Sequence, residues 1–376
     1  MTRVAAVAVF ITAFGVARAV FAQPPPVEPR EDRASTLSTS DERVETEQAP
    51  PSGPPTTTAP RERGFILRSA DGASTLRTLA LLQLRLDAPV WHRGDEDLQL
   101  GVQRVRVGLM GSVFTPALQY MFVVEYAGAS VRPLFLTLDY AVVPGRLHVR
   151  VGQFKLPFSR AFVTMASQLA LIERPLANAP AAFGDGVALG AMLHNGAGGR
   201  FEYAAGVWQG TGNGPVGSGP VAALRVGYNA GALEGYSEGD LVGGPVRVGA
   251  GAAALVGFGT HEPEPFRSGV LDVLVKAHGF SLAGTVHVGD SGVHPRVVRY
   301  GHSLQLGHVL FGRAEPVLRY ERLTVRDEQT RRRVTAGLNL YLHGHGLKLQ
   351  TALSADFVDG QRAPRLRLQV QLSLAL

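Results

Sequence analysis

Residues 365–376 read RLRLQVQLSLAL, and the character of the side chain changes at every step. Arg365, Arg367, Gln369, Gln371 and Ser373 fall on one side, while Leu366, Leu368, Val370, Leu372, Leu374 and Leu376 fall on the other. A period of two is the mark of a β-strand, whose successive side chains point to opposite faces. The same rhythm runs through RLHVRVG, where Arg146, His148 and Arg150 oppose Leu147, Val149 and Val151, and through VQRVRVGLMG, where Arg104 and Arg106 oppose Val105, Val107 and Leu109. A soluble sandwich also alternates. Here the segments often run about 10 to 13 residues, the length that crosses a bilayer at a tilt, and Leu and Val dominate the apolar side. The sequence also ends inside such a segment. The expectation is an all-β, transmembrane antiparallel β-barrel with its apolar face toward outer-membrane lipid, because only a closed barrel satisfies every strand's backbone groups there.

About sixteen such segments lie between residue 75 and the last residue, among them 98–113, 133–143, 146–152, 280–290 and 364–376. An even count of this size implies a lumen wide enough for water. A short stretch, GFILRSA at 64–70, precedes them. The 45 glycines and 18% charged residues suit short turns between strands. With no cysteine, disulfides, thiolate metal sites and cysteine nucleophiles are excluded. No metal, cofactor or nucleic-acid partner is expected.

Residues 1–22 read as a secretory signal peptide: Arg3, an apolar run from Val4 to Val16, then small residues up to Ala22. Residues 23–63 are rich in Pro, Ser, Thr and charge and carry almost no large apolar residue, so they read as a disordered periplasmic linker. The barrel is expected over 64–376.

One connection stands out. VGQFKLPFSR at 151–160 opens a run of about thirty residues before the next strand. Pro157 lacks the N–H that a central strand would donate, so the strand is expected to end there, with Phe154 and Phe158 anchoring the connection. Phe162, Leu169, Leu171 and Ile172 also need burial, which a fold into the lumen would provide. Such a loop narrows a pore, and Lys155, Arg160 and Arg174 would then sit in the constriction.

VGQFKLPFSR, LIERPLANAPAAFGDGVALGAMLHN at 171–195 and GRFEYAAGVWQGTGNG at 199–214 occur in an order that resembles the phosphate-selective porins O and P of bacterial outer membranes. The resemblance implies a sixteen-stranded barrel, usually trimeric, whose inward loop binds anions in transit. Two features depart from the family. Leu376 stands where most such barrels end in Phe, and lysine is scarce, with only Lys155, Lys276 and Lys348, so a lysine-rich constriction is not implied.

The charge balance favours small inorganic anions independently. The whole chain has 37 basic and 31 acidic residues; removing the 7 and 8 found up to Arg63 leaves 30 and 23, a net +7. Cations along a channel lower the barrier to anion entry. Alternation puts Arg104, Arg106, Arg146 and Arg150 on the side away from lipid, as pore-lining residues. Two other readings stay open: a non-selective or plugged structural barrel, and an outer-membrane hydrolase. The second would need a nucleophile and base; histidines at 148, 194, 278, 287, 302 and 308 invite the search, but no G-x-S-x-G occurs and VGDSG at 288–292 has no assignable partners.

Overall fold

The computed structural model describes residues 65–90, 98–127, 130–196, 199–210, 219–233, 236–258, 265–290, 297–326 and 329–376. The signal-peptide and linker segments and Ser291 lie outside the described residues. The strands are β1 (Ile66–Arg68), β2 (Thr75–Val90), β3 (Gln99–Val113), β4 (Thr115–Ala127), β5 (Ser130–Val143), β6 (Leu147–Lys155), β7 (Val187–His194), β8 (Phe201–Trp208) and β9 (Val221–Ala230). They continue as β10 (Arg247–Gly257), β11 (Phe266–Ala277), β12 (Phe280–Asp290), β13 (Val298–His308), β14 (Ala314–Val325), β15 (Arg331–Tyr341), β16 (Leu347–Val358) and β17 (Arg365–Ala375).

Each strand from β2 to β17 pairs antiparallel with its sequence neighbours, and β17 closes on β2 through Leu366↔Val90 to Ala375↔Leu81. The result is a closed barrel of sixteen strands. The stub β1 pairs with β2 at Ile66↔Arg77 to Arg68↔Thr75, beyond the point where β17 stops.

The alternation has the two environments that it implies. On β17 the side chains of Gln369, Gln371 and Ser373 are buried inside, while Leu372 and Leu374 are exposed outside. Leu271, Leu304, Leu306 and Leu318 lie on the same outer surface. Exposed leucines in such number are unfavourable in water and favourable against lipid tails.

The apolar core is inside the barrel. Leu156, Phe158, Ala177 and Phe183, from the segment between β6 and β7, pack with Trp208, Val221, Leu255, Phe266 and Val270 of the wall. Small residues on the wall make room for this. A Cβ on Gly301 of β13 would come within 2.9 Å of Ala177, and one on Gly337 of β15 within 2.5 Å of Leu171.

Candidate functional site

Strand β6 ends at Lys155. Leu156 N still donates to Gly186 O at 2.9 Å, closing the base of the connection, and Pro157 then has no N–H to carry the ladder further. The segment 156–186 folds through short helical turns at Arg160–Val163, Ala166–Gln168, Leu176–Asn178 and Pro180–Phe183. Ser159 caps the first, its hydroxyl accepting from Phe162 N at 3.2 Å. Phe158 is fully buried, with its ring 6.0 Å from that of His287 on β12, and Phe154 packs edge-on against Trp208 at 5.6 Å.

The cations of this segment differ in their surroundings. The Arg160 backbone N–H and Nε donate to the two Asp272 oxygens at 3.1 and 3.2 Å, and Arg225 donates to the same carboxylate at 2.7 and 2.9 Å. Only 6% of Arg160 is exposed, and its guanidinium lies 5.0 Å over the Tyr236 ring. Arg160 therefore pins the segment to β11, desolvated and held by a carboxylate that it shares with Arg225; it does not face an aqueous constriction. Lys155 Nζ donates to the carbonyls of Phe162, Val163 and Thr164 at 2.7, 3.1 and 3.1 Å, which spends its three N–H groups on the end of the first helical turn. Arg174 binds the same turn, through Ala161 O at 2.9 Å and Thr164 O at 2.6 Å. Arg174 is half-buried; desolvation lowers its basicity first, and repulsion from Arg104 on the wall lowers it further.

That repulsion marks where segment and wall confront each other. On the wall, Arg104, Arg106 and Arg132 all reach one carboxylate, Glu125, at 3.2, 2.7 and 2.8 Å. Their side chains keep 23%, 16% and 60% of their surface accessible, against 3% for Glu125. Beside them, Arg85 of β2 bonds to Glu173 of the segment. Burial raises the Glu173 pKa, but Arg85 and Arg367 outweigh it and hold the carboxyl below its ordinary value. This side of the inner wall, with the segment residues near it, thus carries more positive than negative groups. Arg132 and Glu125 have no place among the residues singled out from sequence. Glu125 follows Met121 and Val123 on the inner face, so polarity alone does not mark that face, and a register shift between Val123 and Val124 obscures the phase of Arg132.

The remaining expected pore-lining residues diverge. Arg146 is exposed in the turn between β5 and β6 rather than on the wall, since the strand begins one residue later, at Leu147. Arg150 is on the inner wall, donating to Asp139 at 2.7 Å. Asp139 also meets His148 Nδ1 at 3.1 Å and His194 Nε2 at 2.9 Å. The three ligand atoms are close enough together for a metal ion. However, His194 Nδ1 accepts from Gly196 N at 3.0 Å, leaving Nε2 as the protonated nitrogen, and the Arg150 guanidinium already occupies the carboxylate. The three side chains are thus already tied, with Arg150, into one hydrogen-bonded cluster.

A second connection, between β9 and β10, enters from the opposite rim. Glu238 N donates to Gln168 O at 3.2 Å, and the Glu238 carboxylate accepts from Ala170 N at 2.8 Å and Gln305 Nε2 at 3.1 Å. Lys276 donates to Ser237 and Gly239, and Asp240 accepts from Gly279 N and Arg247. The two connections therefore meet inside the barrel against β11–β14.

Among the described residues, none of the six histidines considered for catalysis is hydrogen-bonded to a hydroxyl. His287 is wedged between Phe158 and Phe183, and His302 and His308 face outward, packed on Tyr300, Tyr320 and Phe280.

Comparison with known proteins agrees with this architecture. The family model described as phosphate-selective porin O and P matches residues 85–239, which include the inner segment and the arginine-lined wall. The anion-selective porin from Comamonas acidovorans superposes with a TM-score of 0.60 at 13% identity, covering 81% of this chain and 100% of that one. The trimer form of OmpT from Vibrio cholerae gives 0.54 at 12% identity, with 81% and 100% covered. OmpF of Salmonella typhi gives 0.57 at 10% identity, with 82% and 100% covered. Curated proteins contain no significant sequence match. The match to the phosphate-selective porin O and P model is confined to residues 85–239, and the whole chain has the fold of a channel-type β-barrel of the bacterial outer membrane.

Proposed function

We propose that this barrel is an anion-preferring diffusion pore, with phosphate among its solutes, and that the gap between segment 156–186 and the β2–β5 wall is its constriction. The observation that carries this reading is the sharing of one carboxylate, Glu125, by Arg104, Arg106 and Arg132, all three with access to water. One acidic group cannot neutralise three guanidinium groups, so the gap holds a net positive potential that lowers the barrier for anions and raises it for cations. Arg174 adds its charge from the segment side, while Lys155, Arg160, Phe154, Pro157 and Phe158 hold the segment in place. The Comamonas porin, anion-selective by its description, shares the fold. The trimeric OmpT supports a homotrimer as the working assembly.

A plugged barrel is the second reading, favoured by the meeting of the two connections inside the lumen. Reconstitution in a planar bilayer separates the two. Stepwise conductance with a reversal potential on the anion side in a KCl gradient is expected; silence supports the plug, and a cation-side reversal potential contradicts the anion reading.

A further inference from the structure

Between the inner segment and strands β4 to β9 lies a cavity of about 210 Å³. Its lining sets charged groups, Arg150, Lys155, Glu202 and Arg225, beside an apolar side that the polar inner wall of β17 lacks. Three of the chain's five methionines, Met121, Met165 and Met192, line it together with Phe135 and Phe154. They come from two wall strands and the inner segment, so the grouping is made by the fold and not by sequence proximity. Thioethers are polarizable and adaptable, and they make favourable contacts with aromatic rings. At the edge of the cavity, the Arg150 side chain is 34% exposed. Its Nε and one terminal nitrogen bind Asp139, which leaves Nη1 without a hydrogen bond among the described residues, and its guanidinium lies 5.7 Å from the Phe154 ring centre.

We propose that this cavity is a subsite for aromatic carboxylates in transit, with the ring held among the methionines and phenylalanines and the carboxylate on Arg150. The proposal rests on the anion-preferring reading above and extends it to organic solutes. Size restricts the occupant: drug-sized sites span roughly 300–1,000 Å³, so the cavity suits a single ring with its acid group. Inorganic phosphate gains no hydrogen bond on the thioether and ring side, so that side holds it no better than it holds acetate. Acetate has the charge without the ring. The ring is therefore what distinguishes a retained solute from one that only passes.

The test uses the full-length protein in planar bilayers, with the chloride current titrated by sodium benzoate and, separately, sodium acetate. Benzoate is expected to half-block the current at a concentration about tenfold below acetate, of the order that ring–thioether contacts supply. Met121→Gln with Met192→Gln keeps the side-chain length and removes the apolar contact. It is expected to bring benzoate close to acetate without moving the KCl reversal potential. Equal block by benzoate and acetate in the wild-type protein overturns the proposal, whether or not the variant folds. A folded variant with unchanged benzoate block also overturns it. Failure of the underlying anion reading is seen separately, as a wild-type KCl reversal potential on the cation side.

Discussion

Two arcs of the inner wall carry arginines, and they treat them in opposite ways. On β2 to β5, Arg104, Arg106 and Arg132 converge on a single buried glutamate and keep access to water. On β9 to β14, the charges are paired and sealed: Arg225 shares Asp272 with Arg160 of the inner segment, and Arg319 sits on Glu321, with all of these side chains nearly inaccessible. Arg319 also donates to Glu173 O at 2.8 Å, so this arc is where the inner segment is fastened. The contrast shows that an arginine on the inner face acquires a role from its neighbours. Partly solvated charge in excess acts on a passing ion, whereas paired and desolvated charge acts as a clamp.

The sealed arc predicts the largest loss. Asp272→Leu leaves two buried guanidinium groups without their carboxylate, and breaking a buried pair costs about 3–5 kcal/mol. The barrel should unfold at a clearly lower temperature in heat-modifiability gels, while Glu125→Leu on the open arc should shift unfolding much less. Crowding the seat of the segment comes next. Gly301→Val places side-chain atoms where Ala177 and Phe183 now pack, at about 1–3 kcal/mol; the segment should shift inward or detach, and single-channel conductance should change while the barrel still folds.

Glu125→Gln sharpens the contrast from the other side. Removing the shared carboxylate leaves three arginines uncompensated but near water, so anion preference should rise modestly and stability should fall slightly, both readable in reversal potentials and melting.

The smallest effect concerns pH. Asp185, at the end of the segment, accepts from Asn178 Nδ2 at 2.6 Å and Ser159 Oγ at 3.2 Å, yet burial pushes its carboxyl up to about 7. The folded state therefore holds this proton more tightly than the unfolded chain. Its contribution to segment docking is full below the ordinary carboxylate pKa and fades as pH rises from about 4 toward 7. Proteolytic nicking of the segment should increase across that window, and Asp185→Asn should flatten the dependence.

Much of the fold is legible in the sequence because strand alternation is a local signal. The pattern predicts a strand over 280–290, and Phe280–Asp290 is one; sixteen barrel strands match the expected number. Phase carries less well to function. Arg146 follows the alternation of its neighbours but belongs to a turn. Arg160 and Arg104 look alike in sequence, and only partners from distant strands, Asp272 for one and Glu125 for the other, make them different. The connection between β9 and β10 reads as a polar, glycine-rich turn, so nothing local announces that Tyr236, Glu238 and Asp240 enter the lumen. The inner-face glycines are equally silent, since a missing side chain reveals its purpose only when the opposing residue is known.

The most direct test of the central claim is the reversal potential of Arg104→Glu with Arg106→Glu in a KCl gradient, measured beside wild type and beside Arg332→Glu. Arg332 is paired with Asp359 at 2.8 Å on the exposed end of β15, away from the gap. The double variant should swing from the anion side toward the cation side while Arg332→Glu stays near wild type. A double variant that folds, conducts and keeps the wild-type reversal potential would contradict the assignment of selectivity to the open arc.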